Sequence, residues 1–157
     1  MNVLAIGAPP DDVEIACSGT LAKCVKRGDK VIVCHASTGN LGHVVIPPDE
    51  LTKIRAEEAK KAGGLAGIEV IGGMFDDLNI FDGNKAARDK LVDVIKYAQP
   101  DFIITHNPDD YMPDHTAVSR LVFDASFAAT LPNYKSRYEK AISLTQFSTV
   151  LTIYMNL

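Results

Sequence analysis

Two short segments of the chain concentrate side chains that could do chemistry. One is APPDDVE at residues 8–14, and the other is HNPDDYMPDH at residues 106–115. Asp11 and Asp12 are adjacent carboxylates on an irregular turn, so one can bind a metal ion while the other accepts a proton, as a metal-activated hydrolase requires. With an imidazole from His115, these oxygen and nitrogen ligands suit Zn²⁺. The alternative is that both aspartates cap the helix that follows, because carboxylates favour the positive end of a helix dipole.

An alternation of strand and helix patterns surrounds these segments. Short apolar runs predict strands at Val3–Ala8, Val31–Ala36, Glu69–Ile71 and Asp101–Thr105. Apolar residues at helical spacing and their flanking signals predict helices at Val13–Lys26, Asp49–Ala66, Lys85–Ala98 and His115–Ala129. Strands separated by helices of this length predict a Rossmann-like α/β fold, in which a parallel sheet carries helices on both faces and so forms three layers.

The predicted strand order brings the two segments together. In a 3-2-1-4 order, the first and fourth strands are neighbours at the point where the order reverses, and ligands of open α/β sheets collect beyond the carboxyl ends of the strands there. Residues 8–14 follow the first strand and residues 106–115 follow the fourth. We therefore expect Asp11, Asp12 and His115 to face one crevice.

The other histidines and acids have simpler interpretations. We interpret His35 as a half-buried strand residue, and His43 and His106 as hydrogen-bonded loop residues, because a lone histidine carries little information about ligands. The alternative is that one of the three approaches the crevice and supplies a further ligand. The acids Asp109, Asp110 and Asp114 are typical of turns and helix N-caps.

Composition narrows the class of protein and its partners. Apolar residues make up 46% and charged residues 23% of 157 residues, which is typical of a soluble globular protein. The formal net charge of −4 gives no basic face for nucleic acid, and it favours a small-molecule substrate. The apolar N-terminal run is too short to span a membrane and precedes no cleavage site, so we expect a cytoplasmic protein without membrane contact. The three cysteines form no CxxC pair and are expected to be buried thiols.

The C-terminal part of the chain has a different character from the rest. Residues 1–135 carry the alternating pattern of one Rossmann-type domain, whereas residues 136–157 form an atypical tail. Its apolar and β-branched run LTQFSTVLTIYMNL predicts an edge strand or a dimer contact. The tail stops without a covering helix, so we expect a domain truncated at its C-terminal end that forms a homo-oligomer.

Three segments resemble the motifs of one enzyme family. AIGAPPDDVEIACSGTLAK is similar to the opening signature of the LmbE/PIG-L family of zinc-dependent N-acetylglucosaminyl de-N-acetylases. THNPDDYMPDHTAV resembles the second signature of that family, and IRAEEAKKA resembles its Arg-x-x-Glu helix, here Arg55 and Glu58. The resemblance covers roughly residues 1–135. It implies a hydrolase in which zinc-activated water removes the acetyl group from an N-acetylglucosamine-type sugar.

The resemblance also implies roles for individual residues. Asp11 matches the general base of the family, and Asp12 and His115 match zinc ligands. Arg55 and Tyr111 match residues that contact the substrate or assist the transition state.

Two positions depart from the family pattern. Pro9 stands where the family has its first zinc histidine, and Met112 stands where the family has the histidine that stabilises the oxyanion and protonates the leaving amine. Catalytic zinc usually keeps three protein ligands, so two should hold it weakly. Loss of an oxyanion donor typically costs about two to three orders of magnitude in rate.

These departures leave three hypotheses for function. The first is a metal-dependent deacetylase, with activity impaired by Pro9 and Met112. The second is a non-catalytic homologue that binds a sugar or a partner protein in the same crevice. The third is a degenerate gene product whose fold persists without a function.

Overall fold

A computed structural model describes residues 1–142 and the strand at residues 150–153. Along the chain its elements are β1 (Asn2–Gly7), α1 (Asp12–Arg27), β2 (Lys30–Ser37), α2 (Pro48–Ala66), β3 (Glu69–Phe75), α3 (Lys85–Ala98), β4 (Phe102–His106), α4 (Pro113–Ala129) and β5 (Val150–Ile153). The strands are all parallel and lie in the order β3-β2-β1-β4-β5. Among the helices that the structure describes, none combines the length and the apolar composition that a membrane span requires.

The sheet is buried on both faces because side chains of its central strands alternate between two apolar clusters. On β1, Val3 points toward the cluster that contains Leu21 of α1, while Leu4 points toward the cluster that contains Leu91 of α3 and Leu121 of α4. Helix α2 packs on β3, since Gly63 lies against Val70 of that strand. The predicted three-layer α/β fold is therefore confirmed.

Local signals in the sequence determine where the helices begin and end. The Asn84 side chain accepts hydrogen bonds from the amides of Ala86 and Ala87 at the start of α3. Gly28 ends α1 in a left-handed conformation, φ 92°, that glycine adopts without steric cost. These signals explain why the predicted and observed helices agree closely.

The C-terminal tail is only partly described. Val150–Ile153 pairs in parallel with β4 and extends the sheet on that side. The rest of the run LTQFSTVLTIYMNL, residues 144–149 and 154–157, lies outside the described residues. The domain boundary at residue 135 and the dimer contact stay predictions.

Candidate active site

The carboxyl ends of β1 and β4 meet, as the predicted strand order requires. The two strands are paired in register, with Ile6 opposite Thr105. Asp12 is the first residue of α1, and His115 lies in the first turn of α4. The two polar segments of the sequence therefore converge at the switch point of the sheet.

Asp12 and His115 make the tightest contact between the two segments. Asp12 Oδ2 lies 2.7 Å from His115 Nε2. Both atoms are buried and have no further hydrogen-bond partner. A protonated His115 forms an ion pair with Asp12 at this distance, whereas a neutral His115 leaves two acceptor atoms that one metal ion could bind.

Asp110 determines which nitrogen of His115 faces Asp12. Its Oδ2 lies 3.1 Å from His115 Nδ1. An ionised carboxylate only accepts hydrogen bonds, so Nδ1 carries a proton and donates it to Asp110. The lone pair of a neutral His115 is then on Nε2 and faces a carboxylate oxygen, which requires a proton or a cation between the two atoms. Such a carboxylate–histidine pair is also how proteins orient metal-ligating imidazoles.

The surrounding charges affect both side chains. Burial opposes a charge on His115, but the carboxylates of Asp12 and Asp110 outweigh it, and the pKa of His115 is raised. Burial likewise opposes the charge on Asp110, but the amide of Met112 and the ring of His115 outweigh it and lower the pKa of Asp110.

His106 joins this cluster, which corrects the interpretation of this residue as a loop histidine. It is the last residue of β4, is buried, and stacks on the ring of His115 with centroids 3.9 Å apart. Its Nε2 lies 3.7 Å from Asp12 Oδ2 and accepts a hydrogen bond from the Ala8 amide at 2.8 Å. Burial lowers the pKa of His106 to about 4.

Asp12, His106 and His115 together offer three ligand atoms within 4.8 Å of one another. A carboxylate oxygen and two imidazole nitrogens match the donors that Zn²⁺ prefers. The orphaned Asp12 Oδ2 and His115 Nε2 fit a metal ion directly. His106 fits it only if its nitrogen releases the Ala8 amide, since one lone pair cannot serve both.

Asp11 precedes Asp12 in the sequence, and Arg55 holds its side chain. Asp11 is the N-cap residue of α1, as the capping interpretation of the sequence predicts. Its Oδ2 accepts a hydrogen bond from Arg55 Nη2 of α2 at 2.7 Å. A cavity of about 130 Å³ opens next to this ion pair, and its wall includes Glu14 and Glu58. Arg55 therefore binds the Asp11 carboxylate directly.

The other predicted positions contribute differently. Tyr111 is 75% exposed on the loop before α4. Met112 is the N-cap of α4, and its amide donates to Asp110 Oδ1. Pro9 follows Ala8 through a cis peptide bond and offers no ligand atom. The sequence predicts Asp110 only as a turn acid, but in the structure it orients His115 through a contact with Nδ1. No spacing pattern in the sequence indicates this role.

The two remaining histidines lie apart from the three ligand atoms. His43 is exposed, and its Nδ1 accepts hydrogen bonds from the amides of Val45 and Ile46, so it is the hydrogen-bonded loop residue that the sequence predicts. His35 is 1% exposed, rather than half-buried as predicted, and its Nε2 lies 3.0 Å from Glu14 Oε1. Burial opposes the charge on Glu14, but the hydrogen bond with His35 outweighs it and lowers the pKa of Glu14.

The fold and the site together define a Rossmann-like α/β protein with a candidate metal centre at the switch point of its sheet. The chain belongs to the PIG-L family, described as GlcNAc-PI de-N-acetylase, which matches residues 4–126.

The curated relatives include one hydratase and two proteins named as deacetylases. The chain is 26% identical over 144 residues to 4-oxalmesaconate hydratase of Pseudomonas putida KT2440, a match that covers 80% of this chain and 56% of the hydratase. The chain thus spans little more than half the length of that curated relative.

Solved structures show the same fold. N,N'-diacetylchitobiose deacetylase from Pyrococcus horikoshii superimposes with a TM-score of 0.75 at 26% identity, over 84% of this chain and 51% of that one. The conserved protein TT1542 from Thermus thermophilus superimposes with a TM-score of 0.84 at 24% identity, over 100% of this chain and 67% of that one.

Proposed function

We propose that this protein is a metal-dependent hydrolase that removes the acetyl group from a small N-acetylated amino sugar. The observation that carries the proposal is the 2.7 Å contact between Asp12 Oδ2 and His115 Nε2, two buried atoms with no further hydrogen-bond partner. Membership of the PIG-L family and the likeness to a diacetylchitobiose deacetylase support the reaction class.

Asp12, His115 and His106 would hold the metal ion, with Zn²⁺ favoured by the donor types. The chemistry that Zn²⁺ supplies in such a site is to acidify a water molecule and to polarise the carbonyl oxygen of the substrate. Asp110 keeps His115 in the tautomer that a metal ligand requires, through the hydrogen bond at Nδ1.

Asp11 is the residue proposed to accept the proton from the attacking water. It is next to Asp12 in sequence, its side chain is 44% exposed, and Arg55 holds one of its oxygens at 2.7 Å. The other oxygen is free of that ion pair and can take a proton. Arg55 would thus align Asp11 as well as contact substrate, and the exposed Tyr111 would lie at the rim where a sugar enters.

Met112 has no proton to give to a leaving amine and no donor for an oxyanion. The proposed reaction therefore depends on the metal for oxyanion stabilisation and on Asp11 for both proton transfers. We expect turnover about two to three orders of magnitude below that of an enzyme with the missing donor.

The non-catalytic alternative is motivated by Pro9 and Met112, which remove a ligand and a donor from the family pattern. Hydration of an unsaturated acid is a second candidate reaction, favoured by the match to 4-oxalmesaconate hydratase over 80% of the chain. Hydration also starts from an activated water, so the same site would serve it.

An assay with purified, zinc-supplemented protein tests the proposal. N-acetylglucosamine and N,N'-diacetylchitobiose are supplied, and free amine is measured against an Asp11→Asn variant. Amine release that Asp11→Asn abolishes is the expected result. Stoichiometric zinc with no amine release from either substrate would overturn it, and water addition to 4-oxalmesaconate under the same conditions would establish the hydratase reaction instead.

A further inference from the structure

Asp11 has a backbone conformation that residues other than glycine rarely adopt, with φ 125° and ψ −29°. Such conformations persist only where surrounding contacts determine them, and they are concentrated at functional sites. The angle φ sets the direction of the Asp11 side chain relative to α1. The contacts that maintain φ therefore determine where the Asp11 carboxylate lies.

Two hydrogen bonds hold the backbone of Asp11 on either side of this angle. Its carbonyl oxygen accepts from the Ile15 amide at 2.8 Å, as in any first helical turn. Its amide donates to Glu14 Oε2 at 3.1 Å, which is a side-chain contact. With the carbonyl bound within the helix, Glu14 is the side chain that holds the Asp11 amide, and this contact favours the unusual φ.

Glu14 is itself anchored to the centre of the sheet. Its Oε1 lies 3.0 Å from Nε2 of His35, which is almost fully buried on β2 and paired in register with Gly7 of β1. His35 Nε2 is also within 3.3 Å of Oε2, so the whole carboxylate is engaged. The Asp11 carboxylate is meanwhile bound by Arg55 from α2.

We infer that Glu14, anchored by His35, is a positioning residue that holds Asp11 in the orientation needed to accept a proton. The inference rests on the proposed function, in which Asp11 is the general base. The competing role is helix capping, since a Glu three residues after an N-cap commonly accepts from the N-cap amide. Capping affects the stability of the fold, whereas positioning affects turnover.

Glu14→Ala, Glu14→Gln and the control Glu50→Ala separate these roles. Glu50 is an exposed acid in the first turn of α2. Positioning predicts that Glu14→Ala lowers kcat about 10- to 100-fold, with KM and calorimetric zinc affinity within about threefold of wild type. Glu14→Gln should recover most of kcat, because its amide oxygen can still accept from the Asp11 amide. Glu50→Ala should be indistinguishable from wild type.

Unchanged kcat in Glu14→Ala would overturn the inference, as would losses of kcat and zinc affinity that simply parallel a loss of stability. If Glu14→Ala does not fold, His35→Gln takes its place and should lower kcat with zinc affinity retained. A crystal structure of the variant supplies a readout independent of activity. If the wild-type protein is inactive, the proposed function is wrong, but the crystal structure still tests whether Glu14 holds the backbone of Asp11. Retention of φ near 125° at Asp11 without the Glu14 carboxylate would refute it, and relaxation of φ would support it.

Discussion

His106 differs from His115 in that its Nε2 already accepts a hydrogen bond, from the Ala8 amide. A bound metal ion must displace this amide if His106 is to serve as a ligand. His106 would then supply a third protein ligand to the metal ion, in place of the one that Pro9 cannot supply. Catalytic zinc sites usually keep three, so we expect the exchange to favour metal binding.

The change that tests this role is His106→Ala, with His43→Ala as the matched control. His43 is an exposed loop histidine, so its removal should leave the site intact. We expect His106→Ala to weaken zinc binding at least about tenfold in calorimetry, since even loss of groups behind the ligands costs that much. Equal zinc affinities in wild type and His106→Ala would exclude His106 from the ligand set.

At the scale of residues, the sequence predicts that the two strand-end segments meet, but it does not predict the contacts that other side chains make with them. The contact of Asp12 with His115 was expected because both belong to recognisable segments on neighbouring strands. The place of His106 was missed because a single histidine has no spacing pattern. The contact of Arg55 with Asp11 joins α2 to the start of α1, and only the folded chain reveals it.

At the scale of elements, α2 contains two adjacent glycines in different environments. A Cβ added at Gly63 would collide with the Val70 side chain and lie 2.8 Å from the Ile68 carbonyl oxygen, whereas a Cβ at Gly64 meets nothing within 4 Å. Gly63 therefore allows α2 to pack closely on β3, and Gly64 has no such packing role.

Substituting each glycine by alanine separates packing from helix propensity. We expect Gly63→Ala to lower the free energy of unfolding by about 1–3 kcal/mol, because the collision must be relieved by movement of α2 or β3. Gly64→Ala should raise it by about 0.5–1 kcal/mol, because alanine is the better helix former. Urea titration of both variants measures the difference. Similar unfolding midpoints for the pair would show that the α2–β3 contact is looser than described.

The boundaries of the elements show which signals the sequence carries. Helix α3 spans Lys85–Ala98 as predicted, because Asn84 and Pro100 mark its ends. Strand β3 was predicted to end at Ile71, but it continues to Phe75 through Gly72 and Gly73. The two glycines predict a loop in the sequence. In the structure, pairing with β2 keeps this segment in the strand, with a register shift after His35.

On the scale of the whole molecule, topology was the most predictable property. Short right-handed crossovers between parallel strands leave few possible orders, so the order of β3, β2, β1 and β4 followed from the alternating pattern. Residues 130–142, which follow α4, carry no periodicity that predicts an element. They pack by individual contacts instead, such as Ile142 in the core and the Tyr134 carbonyl that accepts from Lys96.

The candidate metal centre joins distant parts of the chain, so metal binding should stabilise the whole fold. Asp12 and His115 come together only when β1 and β4 pair, and the unfolded chain lacks this site. At a free zinc concentration about 100 times Kd, the free energy of unfolding should rise by about 2.7 kcal/mol. Urea titrations with zinc and with chelator measure the change, and Asp12→Asn should show much less of it. An equal zinc effect in Asp12→Asn would mean that the stabilising ion binds elsewhere in the protein.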